Sequence, residues 1–317
     1  MTNSASLRLK PAALRAGNTI GIVAPASNVR RVDLEAGCEC LRRAGYRPFY
    51  FDSIFELDVF FAGSAQRRAR ELEEMFVRDE VHAVICARGG YGSNYLLDKL
   101  DYEKIKSHPK IFVGYSDLTT LLTVLTDKTG LVTFHGPMVG KDWARESGID
   151  WPSWESAIAG EVGWNAASAL SGVKGLVDGS AEGILYGGCL SLLAASLGTP
   201  YEIRTEGTIL FVEDVAAKPF QVDRMLMQLK LAGKLNSVKG IIFGEMVDCV
   251  QTANQGYTLE EVILRVISDF GIPVAYGLRS GHVTSGNITL PIGVRARLDV
   301  SRPQANLKIL EAAVTVP

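Results

Sequence analysis

Residues 111–122 read Ile111-Phe112-Val113-Gly114-Tyr115-Ser116-Asp117-Leu118-Thr119-Thr120-Leu121-Leu122. Four residues suited to a buried strand run into a sharp polar break, and an apolar, helix-compatible segment follows at once. In an α/β fold, a strand end meeting a helix start is where open sheets place their ligands. Ser116 stands at that corner, where a hydroxyl can be held out from the backbone beside free helix N–H groups. The pattern carries the first half of the nucleophile elbow G-x-S-x-G, with Leu118 in place of the second glycine. Taken alone, the stretch favours the simpler reading, in which Ser116 or Asp117 caps the helix by accepting its orphan N–H bonds. The rest of the chain decides between the two.

On either side of this corner, strand-like and helix-like segments alternate from residue 20 to residue 150. Ile20 to Ala24 is a short apolar strand ending at Pro25-Ala26-Ser27-Asn28, and Val32 to Ala44 is a helix closed by Gly45. Tyr46 to Phe51 is a second strand, and Ser64 to Arg78 an amphipathic surface helix. Val81 to Ala87 is a third strand, followed by Arg88-Gly89-Gly90-Tyr91-Gly92 and a helical pattern from Ser93 to Leu100. Leu131 to Phe134 and His135-Gly136-Pro137-Met138 follow the Ser116 helix. This spacing predicts a parallel, helix-covered sheet over residues 1–142.

From about Lys141 to Gly175 the periodicity fails, and all four tryptophans (Trp143, Trp151, Trp154 and Trp164) fall there. Residues 143–175 therefore read as an interdomain connection, whose tryptophans either anchor it to a domain surface or line a cleft. A second domain, 176–317, begins with glycine-rich Gly183 to Gly188 and a helix from Leu190 to Leu197. It continues with strands at Thr208–Val212, Gly240–Gly244 and Val274–Tyr276, and helices at Val222–Ala232 and Leu259–Phe270. Alternating apolar residues near the carboxyl end (Ala296, Leu298, Val300; Leu307, Ile309) predict antiparallel strands. The fold class is α/β, with a mixed α/β second domain.

With 317 residues the chain can bury substantial cores and divide into two domains. A net charge of −2 argues against a nucleic-acid partner. The five cysteines form no C-x-x-C pair and no cluster with zinc spacing, so they read as reduced, packed thiols of a cytoplasmic protein. Met1 to Pro11 has no apolar core of a signal peptide, and no apolar run approaches the roughly 18 residues that cross a membrane.

A nucleophilic Ser116 needs a base, and there are four histidines. His82 lies inside a strand and His108 in a charged surface loop, so both read as structural. His135 follows a strand of the first domain. His282 lies in Ser280-Gly281-His282-Val283-Thr284-Ser285-Gly286-Asn287, a segment that reads as a flexible loop of the kind that carries site residues. The base also needs an orienting carboxylate. Glu213-Asp214, directly after a buried strand, are the candidates, with an N-cap or a salt bridge to Arg224 as the structural alternative for Glu213.

Gly17-Asn18-Thr19-Ile20-Gly21-Ile22-Val23-Ala24-Pro25-Ala26-Ser27, Ala87-Arg88-Gly89-Gly90-Tyr91-Gly92, Gly114-Tyr115-Ser116-Asp117, His135-Gly136-Pro137-Met138, Phe211-Val212-Glu213-Asp214, Asp223-Arg224-Met225-Leu226 and Gly281-His282 occur in this order. In that set the chain resembles the L,D-carboxypeptidases, serine peptidases that include muramoyl-tetrapeptide carboxypeptidase and the microcin C immunity amidases. The resemblance implies a flavodoxin-like first domain, a swivelling-type second domain, and a triad of Ser116, Glu213 and His282. It implies the backbone N–H groups of Gly89, Gly90 and Asp117 as the oxyanion hole, and no metal or cofactor. The implied activity is hydrolysis of the amide before a terminal D-alanine of muropeptides, by a cytoplasmic homodimer. Gly187-Gly188-Cys189-Leu190 departs from an expected Gly-Gly-Asn-Leu, and Ala216-Ala217-Lys218-Pro219-Phe220-Gln221 from an expected Gly-Glu before Pro-Tyr-Arg. Both departures bear on specificity rather than on the triad. Arg88, directly before the oxyanion turn, either binds the substrate carboxylate or braces the turn by pairing with Asp117. Two other functions fit less fully: an amidase inactivating aminoacyl-nucleotide antibiotics, and a non-catalytic binding module using loop 25–28 for an anion.

Overall fold

A computed structural model describes residues 8–167, 172–250 and 256–316. The first part of the amino-terminal segment and residues 168–171 of the expected connection lie outside the described residues. The first domain runs β1 (Thr19–Val23), α1 (Arg31–Arg43), β2 (Arg47–Phe49), α2 (Ala65–Val77), β3 (Ala83–Cys86), α3 (Tyr102–Ser107), β4 (Ile111–Gly114), α4 (Thr119–Thr129) and β5 (Thr133–His135). These five strands are parallel in the order β2-β1-β3-β4-β5. That is the flavodoxin-like order, with its topological switch between β1 and β3. The helical pattern after Gly92 yields only a 3-10 turn, Ser93–Leu96.

The stretch read as a connection contains a helix of its own, α5 (Trp151–Ala159), capped by the Asp150 side chain, which accepts from Ser153 N. Its tryptophans anchor it. Trp143 and Trp154 are fully buried and meet edge-on at 5.2 Å, and Trp154 Nε1 donates to the Tyr46 hydroxyl at 3.3 Å. Each such aromatic pair adds about 0.5–1.5 kcal/mol beyond its buried area.

The second domain comprises β6 (Asn165–Ala167), β7 (Lys174–Val177), β8 (Gly179–Cys189), α6 (Leu190–Ala195), β9 (Thr208–Glu213), α7 (Pro219–Leu231), β10 (Gly240–Gly244), α8 (Leu259–Ile267), β11 (Val274–Leu278), β12 (Leu290–Ile292), β13 (Arg295–Ser301) and β14 (Gln304–Ile309). Its sheet runs β13-β8-β9-β10-β11-β7-β14-β6, and β13 also pairs with β14, so the sheet closes on itself. β8 to β11 are parallel, whereas β7, β13 and β14 pair antiparallel to their neighbours. β12 is the exception. It leaves this sheet and pairs antiparallel with β5, with Leu290 opposite His135, as the edge strand of the first sheet. Pro291 is tolerated there because an edge strand needs no second ladder donor.

α4 lies where the two sheets meet. Leu121, Leu122, Thr123, Val124, Leu125 and Thr126 are all buried, as expected of a helix covered on more than one side. From β8, Tyr186 donates to Asp127 Oδ2 at 2.8 Å and Cys189 N donates to Thr119 Oγ1 at 2.9 Å. The helix that begins at Ser116 is thus fastened to the second domain.

The glycine-rich Gly183 to Gly188 lies within β8, the longest strand among the described residues. A Cβ on Gly187 would come within 2.0 Å of the Phe211 carbonyl oxygen, and the residue has φ +127°. Gly187→Ala therefore forces both a clash and an unfavourable backbone region. It is expected to cost about 2–4 kcal/mol, read as a lowered denaturant midpoint; an unchanged midpoint would contradict this strand path.

Candidate active site

The carboxyl ends of β1, β3 and β4 open on one side of the first sheet, at its switch point. Ser116 follows β4 with φ +64°, a left-handed conformation that an L-residue holds only where its surroundings impose it. The surroundings are specific. A Cβ on Gly89 would fall 2.9 Å from Ser116 Cβ, so the β3 turn can approach the serine only as glycine. Asp117, 2% exposed, accepts from Ser93 N at 2.8 Å, and its carbonyl accepts from Ser93 Oγ at 2.7 Å. Neither Ser116 nor Asp117 caps its own helix, since no side chain caps the turn Ser116–Leu118 or α4. The first N–H groups of that turn have no partner from within it.

Glu213 ends β9 and is fully buried. Its Oε2 accepts from His282 Nδ1 at 2.7 Å and from His282 N at 3.1 Å. A carboxylate only accepts, so Nδ1 carries the proton and His282 Nε2 is left as a base. Burial pushes the Glu213 carboxyl up, but His135 and His282 more than offset this and bring it down to about 2. Glu213 forms no ion pair with Arg224 and caps no helix.

The loop around His282 is braced rather than flexible. Ser280 Oγ donates to Ile288 O at 2.8 Å, and Gly281 N donates to Asn287 Oδ1 at 2.9 Å. Asn287 is wholly buried, and its carbonyl accepts from Asp150 N. The loop is held because it spans the short distance from β11 of one sheet to β12 of the other.

His135 lies beneath, at the end of β5, with no exposure. Its Nδ1 meets Ser280 Oγ at 2.9 Å; since that hydroxyl gives its proton to Ile288 O, Nδ1 donates. Its Nε2 stands 3.8 Å from Glu213 Oε1, and neither atom has a hydrogen-bond partner. Sequence reasoning kept His135 as a second candidate base beside His282 and did not foresee this contact with Glu213. The pairing of Leu290 with His135, which brings it about, leaves no local signal. His82 and His108 make backbone contacts far from Ser116, to Thr19 N and Lys104 O.

Ser116 and His282 line one cleft of about 500 Å³, together with Arg88, Gly89, Gly90 and Lys141. Arg88 does not pair with Asp117; its Nη1 donates to the Asn28 carbonyl at 3.2 Å. Cys189 sits opposite Glu213 in the β8–β9 register, where burial holds its thiol well above the usual range, so it offers no competing nucleophile. None of the four tryptophans lines this cleft. A larger groove of about 780 Å³ beside residues 245–250 has no histidine in its wall.

Glu213 carries a sign for acid stability. Its folded carboxyl titrates below the ordinary 4.5, so its stabilisation is complete above about pH 4.5 and is lost as pH falls towards 2. Glu213→Gln should flatten the fall in unfolding midpoint across that window, measured by thermal denaturation. Parallel curves for the two proteins would refute the assignment.

The chain matches the LD-carboxypeptidase N-terminal domain over residues 20–136 and the LD-carboxypeptidase C-terminal domain over residues 182–298. It is 39% identical to the probable murein peptide carboxypeptidase of Bacillus subtilis (strain 168), over 98% of this chain and 97% of that one. Among solved structures it is similar to MccF in complex with glutamyl sulfamoyl guanosine, with TM-score 0.87, 27% identity, and coverage of 97% of this chain and 100% of that one. It is also similar to muramoyltetrapeptide carboxypeptidase from Oxalobacter formigenes, with TM-score 0.82, 32% identity, and coverage of 92% and 99%. With both domains matched in order and this identity along nearly the whole length, the chain belongs to the LD-carboxypeptidase family of peptidases.

Proposed function

We propose that the protein is a serine carboxypeptidase that hydrolyses the amide before a terminal D-alanine of peptidoglycan-derived muropeptides, in cell-wall recycling. The observation that carries this reading is the buried Glu213–His282 pair at 2.7 Å opening on the same cleft as a left-handed Ser116. The names of the Bacillus and Oxalobacter relatives support the peptide class.

In this reading His282 Nε2 takes the Ser116 proton as Oγ bonds to the scissile carbonyl carbon. The oxyanion that forms is held by the N–H groups of Asp117 and the Gly89-Gly90 turn. The imidazolium, stabilised by Glu213, then gives its proton to the departing amine. The acyl-enzyme is released when water, deprotonated by His282, attacks the same carbon.

A second reading is an amidase acting on aminoacyl-nucleotides, as the likeness to MccF with its bound glutamyl sulfamoyl guanosine allows. The residues that would serve it are Phe60, Tyr91 and Tyr95, exposed beside the Gly89-Gly90 turn and close enough to form one aromatic patch. Incubation with a muramoyl tetrapeptide and with an aminoacyl-sulfamoyl adenosine separates the two. Release of D-alanine from the first, with the second left intact, is the expected outcome; the reverse would replace this proposal with the amidase.

Ser116→Ala and His282→Ala should each lower kcat on the tetrapeptide by on the order of 10⁴-fold or more, with the far-ultraviolet spectrum unchanged. Wild-type turnover by either variant would end the serine mechanism.

A further inference from the structure

Three cations and one acid line the cleft around Ser116: Arg30, Arg88, Lys141 and Asp33. The chain as a whole carries a net charge of −2, so this local excess is against its average and favours an anionic ligand. The cations are not equivalent. Arg30 is committed to Asp33 through two bonds of 2.6 and 2.7 Å. Arg88 gives Nη1 to the Asn28 carbonyl. Lys141 Nζ, half-buried, has no hydrogen bond or ion pair among the described residues and lies 5.2 Å from the ring centroid of Tyr115, the residue before Ser116.

Its backbone is fixed. Asp142, next in the chain, accepts from Met138 N at 2.9 Å and from the Tyr115 hydroxyl at 3.3 Å, which holds the turn from Met138 to Asp142 against the β4 corner. Burial draws the Lys141 ammonium below its ordinary range, and the nearby Asp142 and Glu213 carboxylates, with no direct bond to it, only partly offset this. A desolvated, unpaired cation beside a nucleophile gains most from an arriving anion.

Resting on the peptidase reading above, we propose that Lys141 receives the free carboxylate of the departing terminal amino acid and so distinguishes a chain end from an internal amide. This assigns to Lys141 the role that sequence reasoning gave to Arg88, because Arg88 is exposed and already engaged.

The test compares one tetrapeptide ending in D-alanine with the same peptide amidated at its carboxyl end. Wild-type enzyme should prefer the free acid by about 10- to 100-fold in kcat/KM, the scale of one hydrogen bond to a charged group. Lys141→Met should lose that factor on the acid and keep its turnover of the amide, which also reports an intact fold. Lys141→Arg, which keeps the charge, should retain a clear preference for the acid. Equal losses on both substrates in Lys141→Met, an undiminished acid preference in that variant, or no preference in wild type would each overturn the Lys141 assignment while leaving the peptidase reading standing. If Lys141→Met does not fold, loss of the preference in Lys141→Arg overturns the assignment instead. Wild-type enzyme that cleaves neither peptide would overturn the peptidase reading and this inference together.

Discussion

One buried anion holds the site together. The Glu213 carboxylate has no contact with solvent, and an isolated carboxylate in such a place would cost far more than the chain could offset. It persists because His282 donates to Oε2 from both Nδ1 and its backbone N, while the ring of His135, at the end of β5, lies 3.8 Å from Oε1. β9 belongs to one sheet and β5 to the other, so satisfying this charge fixes how the two sheets meet. The imidazole orientation needed for chemistry is a consequence of the same packing.

A second constraint acts at the corner itself. Holding Ser116 at φ +64° costs roughly 1–2 kcal/mol for an L-residue. The Asp117–Ser93 bonds and the close approach of Gly89 make any relaxed conformation worse, so strain is confined to the residue whose hydroxyl must stand clear. Strain of this sort is found where a reactive group has to be presented rather than packed.

Much of this was legible in the sequence for a physical reason. Buried parallel strands are apolar runs and α2 is amphipathic, so β1, β3, β4 and α2 could be placed from the pattern of the residues alone. Ser116 and Glu213 drew attention as polar residues directly after apolar strands, but position alone favoured a helix cap for Ser116 and left His135 open beside His282; the set of three came from the family resemblance. Three features were not legible. β8 is glycine-rich because neighbouring backbone and α4 crowd it, and glycine in a sequence reads as a turn. β12 is three residues long and contains proline, yet it completes the other sheet. The engagement of Arg88 with the Asn28 carbonyl, 60 residues away, which leaves Lys141 as the cation of the cleft without a hydrogen-bonded partner among the described residues, depends on a contact between segments distant in sequence.

The path of β12 bears on how the site is preorganised. The described chain passes between the sheets before β6, again between β11 and β12, and once more between β12 and β13. A division into two lobes hinged on a single connection would leave Ser116 and His282 free to separate. With β12 hydrogen-bonded to β5 and its neighbour β13 bonded to β8, such separation would have to break a strand pairing. The turn bearing Ser116 is tied from its other side as well, through Thr119 to Cys189 N. Nucleophile and base are therefore held by the same few pairings that close the cores. A site of this kind has less reorganisation to make on binding, because its polar groups are already fixed where charge will develop.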